Sequence, residues 1–421
     1  MTHLNRRGFL AGSAALLGLL GAAPRALAKA APADRKFLFV FAQGGWDPSR
    51  VFADALANPN VSTEAAAARA TAGGLSYIAH PTRPSVDAFF AAHHAQTVLL
   101  NGLLVPSVQH EVCTQLMLTG RAVNGLPDWG SAIAGLGGGD YTLPHLVAGG
   151  PSFPGPFTAE VARTGTQGQL DGLLSGDILA RQAQQIGRLS PPAEALIDRY
   201  LARRATGRMQ ASAGTPDEPA ALAFEEAIRK ADQLEELRYD TNFTGGGTLL
   251  AQMGVAIDSL SRGIARCVSI NDVGGGLGWD SHDNNDDRQA LLFEALFEGL
   301  GRLMDELKRT PGTTEATLAD ETIVVVLSEM GRTPLLNNAL GKDHWPYTSA
   351  MLIGPGLTGG RVVGGFDEGW FGAPMNPEAA ALADDGVRIG PGTLGATLLA
   401  AAGLDPEESM PGVPVLRDIL S

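Results

Sequence analysis

Residues 322–345 read TIVVVLSEMGRTPLLNNALGKDHW. The β-branched run at 322–326 predicts a strand buried on both faces. The run stops at Ser328 and Glu329, so a carboxylate stands where the hydrophobic strand ends. Gly331, Arg332 and a turn-like Thr333-Pro334 follow, then Asp343-His344. In open α/β sheets ligands bind beyond the carboxyl ends of the strands. That edge is therefore the first place to look for chemistry.

Other apolar runs end in the same way. Residues 37–42, FLFVFA, predict a buried strand that leads into Gly44-Gly45-Trp46-Asp47. The two glycines allow a tight turn and set Asp47 at the strand's carboxyl edge. Asp before Pro also starts helices well, so a capping role stands beside a ligand role for Asp47. The glycines and the shared edge favour the ligand role. Residues 83–94 predict a helix and 96–100 a strand. The helix that follows opens at His110-Glu111, where free N–H groups stabilise an anion. The histidines at 80, 93, 94 and 145 lack such placement and read as surface or structural residues.

Residues 146–245 read as a helical insertion or cap, with helical patches at 184–203 and 219–238 and a flexible linker between them. A short strand at 263–270 runs into a glycine-rich loop bearing Asp280 and His282. Carboxylate plus imidazole suits a divalent cation, since one neutralises charge and the other donates nitrogen. Leu292, Leu296, Leu300, Leu303 and Leu307 then mark one stripe of a helix at 288–309. Beyond His344, residues 351–356 suggest a strand and turn, 359–364 a return strand or hairpin, and 392–402 a closing helix.

The chain has 421 residues, 44% hydrophobic and 18% charged, which excludes a disordered protein. A net charge of −14 argues against nonspecific binding to nucleic acid or anionic membranes. Cys113 and Cys267 belong to no CxxC pair, which disfavours thiolate metal sites. One disulfide and two buried thiols are both open for them. Arg6-Arg7, Phe9-Leu10, an apolar stretch and Ala26-Leu27-Ala28 predict a targeting segment over 1–28 that lies outside the fold. The paired arginines resemble a twin-arginine signal. This implies the twin-arginine export machinery as a partner, folded export to the periplasm and no membrane span after cleavage.

The paired arginines, GGWD at 44–47, HEVCTQLMLTGR at 110–121, GWDSH at 278–282, LSEMGRTP at 327–334 and DHW at 343–345 resemble a bacterial family. It is the one known as domain of unknown function 1501, within the alkaline phosphatase-like and sulfatase-like superfamily. The resemblance spans the mature chain and implies one alkaline phosphatase-like domain over 36–421. It implies an α/β fold of three layers, with a mixed, mostly parallel central sheet flanked by helices. It also implies one or two divalent ions, such as zinc, manganese or calcium, and cleavage of phosphate or sulfate esters. By the same resemblance Asp47, Asp280, His282, Glu329 and His344 would be metal ligands. His110 stands at the nucleophile position; in a hydrolase it would be nucleophile or general base, and Arg332 would steady the oxyanion as a forked donor. Met330 stands where the superfamily places a further histidine, and His110 where it places a hydroxyl or modified cysteine.

Two functions follow as expectations. One is an exported metal-dependent hydrolase of phosphate or sulfate esters, on small molecules or polysaccharides. The other is an inactive member of the fold that binds a ligand or partner in the old cleft. No phosphate-binding loop of the P-loop kind occurs.

Overall fold

The strand expected at 322–326 forms the middle of the molecule. The computed structural model describes residues 30–138, 141–165, 169–171, 190–237, 243 and 246–421. The expected targeting segment at 1–28 lies outside these residues.

Among the described residues, eight strands make the central sheet: β1 (Lys36–Ala42), β2 (Thr97–Leu104), β3 (His145–Val147), β4 (Val161–Arg163), β5 (Cys267–Asp272), β6 (Thr322–Leu327), β7 (Tyr347–Ile353) and β8 (Arg361–Gly364). Their spatial order is β8-β2-β7-β6-β1-β5-β3-β4. β1 pairs in parallel with both β5 and β6. β3 pairs in parallel with β5 and β4, and β8 pairs in parallel with β2. β7 alone runs the other way, antiparallel to β2 and β6. Residues 359–364 therefore supply a parallel edge strand and not a hairpin.

β1 from Phe37 to Ala42 and β6 from Ile323 to Leu327 are apolar at every position because both faces are covered. Phe37, Phe39 and Phe41 of β1 and Ile323, Val325 and Leu327 of β6 enter one core cluster. Leu38, Val40 and Ala42, with Val324 and Val326, enter the other. This is the period-two alternation of a strand, apolar on both sides. Each fully buried Leu, Val or Phe contributes roughly 1.5–3 kcal/mol.

Helices cover both faces. α1 (Pro84–His93), α6 (Leu249–Ser261) and α7 (Asn285–Arg309) pack on the side of Leu38 and Val40. α2 (His110–Thr119), α3 (Trp129–Leu136) and α8 (Pro391–Ala401) pack on the side of Phe39 and Phe41. The leucine stripe of α7 is buried from Leu292 to Leu307 as its spacing requires. Asp286 and Asp287 lie in the first turn of α7 and Lys308 and Arg309 in its last, complementing the helix dipole. The architecture is a three-layer α/β sandwich with a mixed, mostly parallel sheet.

The region 146–245 is not wholly helical, because β4 and most of β3 lie in it. It also holds the helical hairpin α4 (Pro191–Ser212) and α5 (Glu218–Leu237). The stretch expected as a flexible linker is mostly helix, turning only at 213–217. Its alanines, arginines and glutamine are good helix formers, and polarity alone concealed this. The patch at 184–189 lies outside the described residues. Both cysteines are free and buried, so no disulfide joins them. Burial pushes the Cys113 thiol up to about 11 and the Cys267 thiol to about 12. Among the described residues no helix is long and apolar enough to cross a membrane.

Candidate metal centre

Parallel strands share one carboxyl edge. There β1 delivers Gly44 to Asp47, β2 leads to His110, β5 to Asp280 and His282, and β6 to Glu329. β7 runs backwards, so its entry reaches this edge, and with it His344. A two-stranded ladder fixes that entry, pairing His344 with Arg332 and Trp345 with Gly331.

Three imidazoles converge on Asp280. Nε2 of His282 and Nε2 of His344 each lie 3.1 Å from Asp280 Oδ1. Nε2 of His110 lies 3.4 Å from Asp280 Oδ2. Each ring is held from behind by an oxygen acceptor. Nδ1 of His110 meets Glu329 Oε1 at 2.8 Å. Nδ1 of His282 meets Asp343 Oδ1 at 2.8 Å. Nδ1 of His344 meets the Val108 carbonyl at 2.7 Å. Carbonyl and carboxylate oxygens accept, so each Nδ1 carries the hydrogen and donates it. Each neutral ring then turns a lone pair on Nε2 toward Asp280.

His282 Nε2 and His344 Nε2 are 2.9 Å apart. Two lone pairs at that distance, beside a carboxylate oxygen, repel unless a cation lies among them. His110, Asp280 and His344 each offer one ligand atom, and these all lie within 4.8 Å of one another. Ligands ~2.0–2.2 Å from an ion stand roughly 3.3 Å apart in a tetrahedron, which matches the donor separations. The cluster could therefore hold one metal ion. Hydrogen bonds with Asp280 and then Glu329 lift His110 to about 9, against its burial. Burial opposes ionisation of Asp280, but hydrogen bonds from His110 and Arg332 prevail and hold it well below the usual carboxylate range.

Glu329 stands behind this cluster. It is fully buried. Gly44 N–H donates to both of its oxygens, at 2.8 and 3.0 Å, and the Ser328 hydroxyl donates at 3.1 Å. Its remaining contact is His110. A carboxylate behind a ligating imidazole fixes the ring and raises its basicity. The glycines of the GGWD motif serve this arrangement. Gly44 has φ +130°, and a Cβ there would come within 2.8 Å of the Asp280 backbone nitrogen. Met330 does not enter the centre. It is buried in the core cluster, with its Cγ against Gly45.

Asp47 is placed differently from its expected ligand role. Its Oδ1 accepts from the Ser49 N–H at 3.1 Å and the Ser49 hydroxyl at 2.6 Å. Its Oδ2 accepts from Lys342 Nζ at 2.8 Å and Asn285 Nδ2 at 3.0 Å, and Arg50 Nε pairs with it electrostatically at 3.2 Å. A carboxylate offers about four lone-pair sites, and four donors fill them. The capping role is the one realised, on the short 3-10 turn Pro48–Arg50. Arg332 is likewise committed. It is fully buried and donates to the carbonyls of Gly44, Gly45 (2.8 Å), Trp279 (3.3 Å) and Lys342 (3.1 Å), and to Asp280 (2.6 Å). It positions Asp280 and is too enclosed to fork onto a substrate oxygen.

Lys342 and the Val108 carbonyl were absent from the sequence reading. A lone lysine between Gly341 and Asp343 carries no motif, and a backbone carbonyl has no sequence signal.

No curated protein matches the chain. Among solved structures it is similar to a protein in the alkaline phosphatase superfamily from Vibrio parahaemolyticus, at TM-score 0.40 and 11% identity over 91% of this chain and 69% of that one. It is also similar to a protein solved in complex with its substrate D-glucosamine-2-N,6-O-disulfate, at TM-score 0.35 and 11% identity over 92% and 80%. Residues 201–413, just over half of the chain, match the family described as protein of unknown function (DUF1501). The chain belongs to that family.

Proposed function

We propose that this protein is an exported metal-dependent hydrolase of phosphate or sulfate esters, with one divalent ion held by His110, Asp280 and His344. The observation that carries this reading is the convergence of Nε2 atoms on Asp280, each ring held from behind at Nδ1. Imidazole nitrogen with a carboxylate suits zinc or manganese. Calcium prefers six to eight oxygens and fits this donor set poorly. When bound, such an ion supplies Lewis-acid polarisation of the ester and acidifies water.

The chain's own residues do the rest. Glu329 keeps His110 in one tautomer, and Arg332 keeps Asp280 in place. His282 lies between the carboxylates of Asp343 and Asp280 with its side chain 45% exposed. Its Nε2 lone pair faces the same centre, 2.9 Å from Nε2 of His344, so it lends a further nitrogen to the ion. The paired arginines at the chain's start support twin-arginine export to the periplasm.

Metal analysis of protein purified without a histidine tag tests the reading, together with turnover of aryl phosphate and sulfate esters under added zinc or manganese. About one ion per chain and turnover are expected. Absence of both would sink it. A binding function without catalysis is favoured by one observation: the start of α2 offers His110 and no hydroxyl. Full cellular function of an Asp280→Ala, His282→Ala variant would favour that second reading.

A further inference from the structure

The stretch HEVCTQLMLTGR at 110–121 begins in the metal centre, but its other end has no part there. α2 carries the chain from His110 to Thr119, roughly 14 Å along its axis. Gly120 closes the helix in the left-handed conformation, with φ +79°, and Arg121 follows. At that end lies a pocket of about 220 Å³. Its walls are apolar and come from four elements. Trp129 opens α3, Leu399 lies on α8, Phe157 on the 3-10 turn Gly155–Glu160, and Met410 just past the short helix Pro406–Ser409.

Glycines seat the aromatic walls. A Cβ on Gly395 would come within 2.2 Å of Trp129 Cη2, and one on Gly135 within 2.2 Å of Phe157 Cδ1. A Cβ on Gly120 would meet the same Trp129 atom at 3.0 Å and Met410 Cε at 3.4 Å, so indole and thioether converge. Gly395 stands inside α8, where glycine weakens a helix relative to alanine. The Trp129 indole N–H donates to the Met117 carbonyl at 2.8 Å, which fixes the ring and leaves the pocket only its apolar surface. The walls are therefore set without a ligand, as binding pockets usually are. Open apolar space lowers stability in proportion to its volume, so folding alone does not favour keeping it. Thr119, Arg121 and Ser409 supply the polar lining. The Thr119 hydroxyl is committed to the Gln115 and Arg121 carbonyls, at 2.8 and 2.7 Å. Arg121 is exposed, and among the described residues its guanidinium pairs with no acid and the Ser409 hydroxyl has no partner. A free guanidinium beside an apolar pocket selects an anion, and its planar fork matches a carboxylate. An apolar cavity of ~150 Å³ holds benzene, so this one has room for a ring and a short side chain.

We propose that this pocket binds a short-chain carboxylate bearing an aromatic ring. The ring sits among Trp129, Phe157, Leu399 and Met410, and the carboxylate meets Arg121 and Ser409. The site stands at the opposite end of α2 from the metal centre and does not depend on the hydrolase reading.

Calorimetry on the whole protein with 3-phenylpropanoate, and with the amide and the amine of the same carbon skeleton, tests the site. We expect one propanoate per chain, held roughly three- to tenfold tighter than the amide, and no saturable binding of the amine. Arg121 is exposed, so Arg121→Gln should keep the fold and bring propanoate and amide to the same affinity. Ala132 also lines the pocket, and Ala132→Leu should fill it and abolish binding of both, with the thermal midpoint checking that the fold is kept. A carboxylate can also reach a bound metal, so Asp280→Asn is titrated alongside. Binding kept in Asp280→Asn and lost in Ala132→Leu supports the pocket. Binding lost in Asp280→Asn and kept in Ala132→Leu puts the ligand on the metal and overturns it. Absence of saturable binding of all three probes overturns the site. Equal affinity for propanoate and amide in the unsubstituted protein overturns the assignment of an anion, and so does an unaltered preference in Arg121→Gln.

Discussion

Asp47 and Asp280 stand at the same sheet edge, yet the fold answers them in opposite ways. Asp47 is fully buried and meets an ammonium, a guanidinium, an amide, a hydroxyl and a backbone N–H. Asp280 is about half exposed and meets one guanidinium and three imidazoles. Burial opposes ionisation of Asp47, but Lys342 and Arg50 overcome it and hold the carboxyl well below the usual range. The first aspartate is neutralised by the protein itself. The second is surrounded by nitrogens that lack a proton when neutral, so it can share a cation from outside. The same residue type at the same edge is saturated by the protein or left open to a cation according to what its neighbours can donate.

The contrast can be broken by substitution. The largest effect is expected from Asp280→Asn, which should take metal content from about one ion per chain to none, measured by elemental analysis. Lys342→Met should act on stability and leave metal content alone. Removing one partner of a buried ion pair costs about 3–5 kcal/mol, readable by urea unfolding. If Lys342→Met changed the number of ions bound instead, Asp47 would belong to the metal centre after all.

Glu329→Gln should keep one ion but weaken its affinity roughly 10–100-fold, the range for partners behind a ligating histidine. A competition titration with a chelator reads this. The smallest effect is that of pH. In metal-free protein His110 titrates at about 9, against 6.5 for the unfolded chain. Its contribution to stability is fully present below pH 6.5 and is lost as pH rises through 9. Metal binding runs the other way, because the ion needs the deprotonated ring. Affinity should fall by at most about tenfold per pH unit as pH drops below 9. Calorimetry at several pH values checks the sign.

Much of the fold was legible. The runs at 37–42 and 323–327 are apolar at every position, short, and rich in aromatic or β-branched residues, which suits a strand covered on both sides. The leucine stripe of α7 was equally plain. The region 146–245 was harder to read, because three-residue strands such as His145–Val147 carry too little periodicity to show. At the site, His110, Asp280, His282, Glu329 and His344 were all marked by their positions near strand ends. Their division of labour was not. Glu329 was expected as a ligand and stands behind His110, whereas His110 was expected as a nucleophile and faces the shared centre.

The sequence by itself determined the strands, their common edge and the residue types gathered there, because hydrophobic period and strand ends are local properties. Only the tertiary structure decided which carboxylate meets which cation. Asn285, which binds Asp47, lies 238 positions along the chain from it, and Glu329 lies 219 from His110. Electrostatic pairing depends on distances of a few ångströms between such residues, and no local pattern encodes them. Folding brings Lys342 to Asp47 and three imidazoles to Asp280, and that allocation leaves the second aspartate free for chemistry.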